Sequence, residues 1–444
     1  MNRPSILQGA IGVNSMNRIQ TPGDGQRGQI LVLMAGGMVA VILMIALVID
    51  GGNAWAQKRI VQNGTDAMAE AGAIVMAQRF AGVTTPGGGW DAAVLSKIQS
   101  SATANGVTLG DAYYTDICGI PLQLDGSPAL NNDGTENLGV AVKVGSNNLP
   151  GGTATTPDCP AKAVGPVAGV MVLGTKNFST YLTGVVGLTS LNASTRATAV
   201  TGYLQGYCSA SQGPTCAVLP VTVPVNVVSC DGSNNAVNSA TPWIPNQVYK
   251  VPLCKNGPGN VGWLDWTPPG GGTSELINSI LTPNNPAINL PSWQYMTSTG
   301  NVNSAGVEDA LRTYDGQVVL IPQFDQTCNP GPGNSPDSTI PTINNGPNYG
   351  CPAGSLGGNG QNQWYRVPSF AYFQFCASTD SDCVTAGVTH GAYVNGSNPI
   401  CDTGNGATSC LAGKFVDILS TGTVGPGVGS GTSSTKAIGI QLIK

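Results

Sequence analysis

Charge is scarce in this chain. Lys, Arg, Asp and Glu make up 9% of 444 residues, and there is a single histidine, His390. Scarce charge with moderate hydrophobicity excludes a charge-rich disordered chain. Residues 207–444 hold seven Lys and Arg against twelve Asp and Glu, so no basic stripe is available for phosphates and no nucleic-acid partner is expected. A lone histidine confines Ser-His-Asp or Cys-His chemistry to Thr389-His390-Gly391, which reads as a solvent-facing turn. There is no Cys-x-x-Cys, and one histidine cannot supply a zinc-type ligand set. The expectation is a chain without cofactor or metal, and not an enzyme. Cysteine is missing from everything before Cys118.

What is present begins with one long apolar run. Ile30 to Ile49 (ILVLMAGGMVAVILMIALVI) holds 20 uncharged residues and stops at Asp50. At about 1.5 Å per residue it makes a helix of roughly 30 Å, the thickness of a bilayer's hydrocarbon core. The run exceeds a signal-peptide core, so it reads as an uncleaved anchor. All twelve cysteines follow it, which places the N-terminus inside and the bulk of the chain in an oxidising space. Gly36-x-x-x-Ala40 is spaced for close helix packing, a pattern common in membrane helices.

The helical rhythm continues beyond Asp50. Ile60, Val61, Ala67, Met68, Ala71, Ile74 and Val75 repeat at helical steps and predict one apolar stripe, with Arg59, Gln62, Asp66 and Glu70 turned away. Gly51-Gly52 marks an expected kink. Trp55 and this stripe are the expected interaction or packing face. The stripe is expected to pack on the chain's own domain, being too short for a coiled coil.

These residues carry a resemblance. Arg27-Gly28, the apolar span, Asp50, Lys58-Arg59-Ile60-Val61-Gln62-Asn63 and Thr65-Asp66-Ala67 resemble the N-terminal module of TadG-like proteins of the Flp/Tad pilus-assembly family. Asn177–Val200 resembles the family's amphipathic helix and following strand. The resemblance covers about residues 27–206. It implies an accessory or pseudopilin-like component of a Tad-type pilus assembly or secretion system, in the bacterial cell membrane, with other pilus-assembly or envelope proteins as partners. Two features depart from the family's variants. Prepilin peptidase substrates carry Glu five residues after the cut glycine, where this chain has Leu33, so Gly28–Gln29 is expected to stay intact. A von Willebrand factor A site needs Asp-x-Ser-x-Ser, and Asp125-Gly-Ser127-Pro-Ala129 lacks the second serine.

The expected fold is α+β. A cytoplasmic tail (1–28) leads into a transmembrane helix (29–50) and an outer amphipathic helix (51–82). A small α+β domain (83–206) and a β-rich, disulfide-containing lobe (207–444) follow. In the α+β domain, 90–104 and 178–186 read as helices. Segments 112–117, 138–144, 167–173 and 188–200 read as strands. The lobe reads as short strands at 218–228, 247–253, 318–324, 364–375, 414–419 and 437–443, with short helices at 274–281 and 307–313. Between them lie loops rich in Gly, Pro and Asn, the longest at 327–362. Cys118 and Cys159 bracket one loop. Beyond residue 206 the cysteines fall into local couples: Cys208/Cys216, Cys230/Cys254, Cys328/Cys351, Cys376/Cys383 and Cys401/Cys410. Neighbour pairing is the simplest of many connectivities.

Other motifs read as structural. Asp265 between Trp263 and Trp266 is either a sugar platform or a strand with a core tryptophan; the second reading is preferred. Asn131–Glu136 lacks the first acidic ligand and the distal Glu of a calcium loop and reads as a surface turn. Gly425–Gly431 reads as a flexible connector. The runner-up function is an adhesive module whose loops contact carbohydrate or matrix; an exported hydrolase is third. The lipid bilayer is the one partner read directly from composition, and homo-oligomerisation is left open.

Overall fold

A computed structural model describes residues 25–151, 167–231, 233, 236–254, 262–267, 272–296, 304–331, 334–336, 350–357, 363–394, 401, 409–417, 419–421, 423–425 and 436–443. Two compact units divide the chain. One takes Met1–Lys58 with Asn177–Ala193, the other Arg59–Lys176 with Ser194–Lys444.

A single helix, α1, runs over Gly25–Phe80. It contains no proline, and its helical hydrogen-bonded assignment continues through Gly51-Gly52, the site of the expected kink. Two glycines cost about 1 kcal/mol each in a helix interior. The apolar run before them and the packed turns after them outweigh that cost.

In the larger unit, Arg59–Phe80 of α1 and helix α2 (Gly89–Asn105) cover a sheet. Val94, Ile98 and Ala102 repeat every fourth residue on α2 and are buried. Gly106 ends α2 in the left-handed conformation at φ 61°, and its N–H satisfies the orphan carbonyls of Ala102 and Thr103. The sheet contains β1 (Thr108–Thr115), β2 (Gly169–Ser179) and β3 (Ser190–Tyr207), followed by Ile438–Ile443 and Leu419–Thr421. Ile438–Ile443 pairs antiparallel with β3, from Ile438 against Tyr203 to Ile443 against Thr198. The end of the chain therefore belongs to the same sheet as residues 108–207, and the expected division at residue 206 is crossed by this strand.

Two segments depart from the sequence reading. Residues 138–144, expected as a strand, form turns with one isolated bridge, Tyr113 to Lys143. Gly145 at φ 89° and Asn147 at φ 60° bend the chain there. The buried Asp91 of α2 holds the bend, accepting from Tyr114 Oη (2.6 Å), Gly145 N (2.8 Å) and Asn147 N (2.6 Å). Burial, reinforced by Asp91, pushes the Tyr114 phenol far up, so it stays a donor. Residues 178–186, expected as a helix, finish β2 at Ser179 and then make only a 3-10 turn, Thr183–Val186. Gly184 and Gly187 interrupt the segment, and the backbone N–H groups entering the turn are bound elsewhere, as described below.

The remaining strands build a seven-stranded sheet in the order Ala392–Tyr393, Cys410–Phe415, Ser369–Phe375, Val318–Phe324, Val221–Pro224, Gly262–Trp263, with Val248–Pro252 joined to Cys410–Phe415. Helices α3 (Thr273–Leu281) and α4 (Ala305–Arg312) close its core through Ile280, Val307 and Leu311. Trp243 anchors that core: its ring lies 4.8 Å from Tyr249 and 5.3 Å from Phe415, and its indole N–H donates to Pro224 O at 2.7 Å. Disulfides join Cys208–Cys216, Cys230–Cys254, Cys328–Cys351, Cys376–Cys383 and Cys401–Cys410. Each closes a loop of 7 to 24 residues, worth about 2–4 kcal/mol apiece in the chain-entropy account. Cys118 is also disulfide-bonded; its expected partner Cys159 lies outside the described residues, as do most of the loop at 327–362 and residues 426–431 of the glycine-rich connector.

Candidate functional site

The apolar span is exposed along nearly its whole length: Leu31 is 72% exposed, Met34 75% and Val48 74%. A helix with this apolar a surface and no protein cover is long enough to cross a membrane. Within the span Ala46 is the one buried residue, and Asp50, one turn further on the same face, is buried as well.

Asp50 is held by the 180s turn in its own unit. Its Oδ1 accepts from Tyr181 N at 2.7 Å, and its Oδ2 from Leu182 N at 3.1 Å and Thr183 N at 2.6 Å. Three backbone N–H groups converging on one carboxylate offset the cost of burying its charge. Asn53 Nδ2 reaches Ser179 O at 3.4 Å one turn later. The turn is also tied to itself: Thr180 N donates to Thr189 O, Leu188 N to Thr183 O, and the Thr180 hydroxyl to Leu188 O.

Past Arg59 the helix face is set by small residues. Val61, Met68, Ala71 and Val75 are buried, whereas Ala67 and Ile74 are half-buried. Ile60 is 44% exposed and Trp55 62% exposed, so neither belongs to the buried face. The close approaches fall at glycines. A Cβ on Gly72 would meet Val170 Cγ2 of β2 at 2.6 Å and Ile98 of α2 at 3.1 Å. A Cβ on Gly174 of β2 would lie 2.1 Å from Thr65 Oγ1 and 3.0 Å from Met68 Cε. Thr65, fully buried, bonds to Val61 O and to Thr195 of β3, each at 2.7 Å. Gln62 is not a bare surface residue: its Nε2 donates to Asp66 at 2.7 Å and lies 3.4 Å from Arg196 O. Sequence reasoning missed Thr65, Gly72, Ala73 and Met76 on this face, where the apolar stripe had picked Ile60, Ala67 and Ile74. Thr65 lies four residues after Val61 and Gly72 four after Met68, and that helical spacing was the available signal.

The other motifs resolve into structural contacts. His390 Nδ1 lies 2.7 Å from Asp315 Oδ2, whose other oxygen accepts from Gly391 N at 2.8 Å. Among the described residues no serine hydroxyl bonds to this ring, and the cysteines are in disulfides. Asp265 is buried and accepts from Thr267 N at 2.9 Å, beside the fully buried Trp263. Asp125-Gly-Ser127 and Asp133-Gly-Thr135 are two copies of one turn. In each, the Asp Oδ1 accepts the N–H at 2.9 Å and the hydroxyl at 2.6 Å two residues on. Those same hydrogen bonds hold both carboxyls below the usual carboxylate range.

The chain thus presents a membrane-capable helix whose outer half is built into an α+β domain, joined to a disulfide-braced β-rich region. Residues 28–77 match the Tad family of Flp pilus-assembly TadE/G-like proteins, and this N-terminal module is of that family's type. The matched residues span the apolar run, Asp50 and most of the face that meets β2. No curated protein and no solved structure is significantly similar to the chain.

Proposed function

We propose that the chain is a membrane-anchored, extracytoplasmic accessory or pseudopilin-like component of a Tad-type pilus assembly or secretion system, acting by binding and positioning and not by catalysis. One observation carries the reading. The residues that match the pilus-assembly family, 28–77, are those of one helix that is lipid-compatible at one end and packed into an α+β domain at the other. The N-terminus faces the cytoplasm and the disulfide-bearing part lies outside it, where disulfides persist. Its partners are other pilus-assembly or envelope proteins. The test is deletion in the native host with imaging of pili: loss of pili, restored by the intact chain, is the expected result. Pili retained in full number with lost surface attachment would replace this reading with that of an adhesive module.

A further inference from the structure

We infer that the turn joining β2 to β3 is a second membrane contact, seated in the headgroup and upper acyl layer of the leaflet through which α1 leaves the bilayer. The inference rests on the reading of Ile30–Ile49 as a span. Three observations in the smaller unit carry it.

Position is the first. The turn is bonded to Asp50 by the N–H groups of Tyr181, Leu182 and Thr183. The buried face extends to Ala46, four residues or about 6 Å into the apolar run. A span of 20 residues matches the hydrocarbon core with little to spare, so protein packed at Ala46–Asp50 stands at the membrane boundary.

Chemistry is the second. From Asn177 to Thr195 the chain carries no charged side chain. Tyr181 is 71% exposed, Leu188 56% and Leu191 37%. A tyrosine flanked by leucines suits the zone where apolar bodies meet acyl chains and a hydroxyl meets headgroups. Asp50, the charge nearest the boundary, is already satisfied by the turn and adds no unpaired charge there.

Rigidity is the third. The Thr180–Thr189 and Thr183–Leu188 bonds fix the turn before it meets lipid, so little ordering is needed on contact.

The experiment uses the full chain in phospholipid bilayers containing nitroxide lipids labelled either near the headgroup or near the bilayer centre. A fluorescent non-natural residue is placed in turn at Tyr181, Leu188 and Met38. The Met38 probe should be quenched by the deep label. Probes at Tyr181 and Leu188 should be quenched several-fold more by the shallow label than by the deep one. With the probe at Leu188, Tyr181→Asp should reduce the shallow quenching, because it adds a charge at the boundary from an exposed position. Quenching at Met38 with none at Tyr181 and Leu188 overturns the inference and leaves the span standing. Absence of quenching at Met38 removes the span, and the inference with it. Tip probes that are unquenched in pure lipid but shielded on adding purified envelope proteins also overturn it, assigning the surface to a protein partner.

Discussion

Met68→Asp is the sharpest perturbation of the helix–sheet contact. Met68 is fully buried on α1, and its Cε lies 3.0 Å from where a side chain on Gly174 of β2 would begin. Truncating a buried methionine costs about 2–5 kcal/mol, and an unpaired carboxylate in that space adds several more. A total of roughly 4 kcal/mol or above is a large part of a typical domain's 5–15 kcal/mol. The variant should therefore be degraded in cells, and in detergent it should melt well below the parent. Met68→Leu should keep near-parental stability, since the volume is conserved. Glu70→Ala, on the exposed side of the same turn, should change stability by no more than about 0.5 kcal/mol. Gln62→Asp is a poor control, because it sets a second carboxylate beside Asp66, 2.7 Å from the present amide nitrogen. Equal abundance and melting of Met68→Asp and the parent would refute the claim that this face is buried. A stable Met68→Asp protein that blocks pilus assembly would show that the face meets a partner instead.

Gly174→Ala should destabilise by about 1–3 kcal/mol in a thermal melt, because its Cβ collides with Thr65; Gly184→Ala, with its nearest neighbour at 3.8 Å, should be close to neutral. Under reducing conditions, hydrogen exchange should rise more around Cys230–Cys254, Cys328–Cys351 and Cys376–Cys383 than in β1–β3, while free thiols throughout the unreduced protein would contradict the bracing role. Mass spectrometry of the mature protein should find no N-terminus at Gln29, since Leu33 stands where a prepilin peptidase substrate carries Glu.

Much of the architecture could be read from periodicity, and the failures have physical causes. Val318–Phe324 and Thr273–Leu281 were legible because an apolar run or helical spacing was bounded by turn residues. Residues 138–144 alternate like a strand, but Asp91, more than fifty residues away, holds the adjacent Gly145–Asn147 bend by hydrogen bonds. Residues 178–186 have helical apolar spacing, yet the N–H groups of Tyr181, Leu182 and Thr183 go to Asp50, a contact 131 to 133 residues distant. No local pattern encodes either partner. On the outer helix, hydrophobicity picked Ile60 and Ile74, but a helix lying close on a sheet also selects Gly72 and Ala73, where bulk would force the layers apart. The local cysteine couples were legible as candidates only, because spacing never fixes connectivity.

Topology tests the central claim most directly: one helix carries the chain through the membrane, and everything after it folds outside the cytoplasm. Fusions of alkaline phosphatase and of green fluorescent protein after Phe80 report on opposite compartments. The account requires an active phosphatase and a dark fluorescent fusion, with both proteins in the membrane fraction. A fluorescent fusion with inactive phosphatase would contradict it, placing the cysteine-bearing part in a reducing compartment and removing the basis for an extracytoplasmic role.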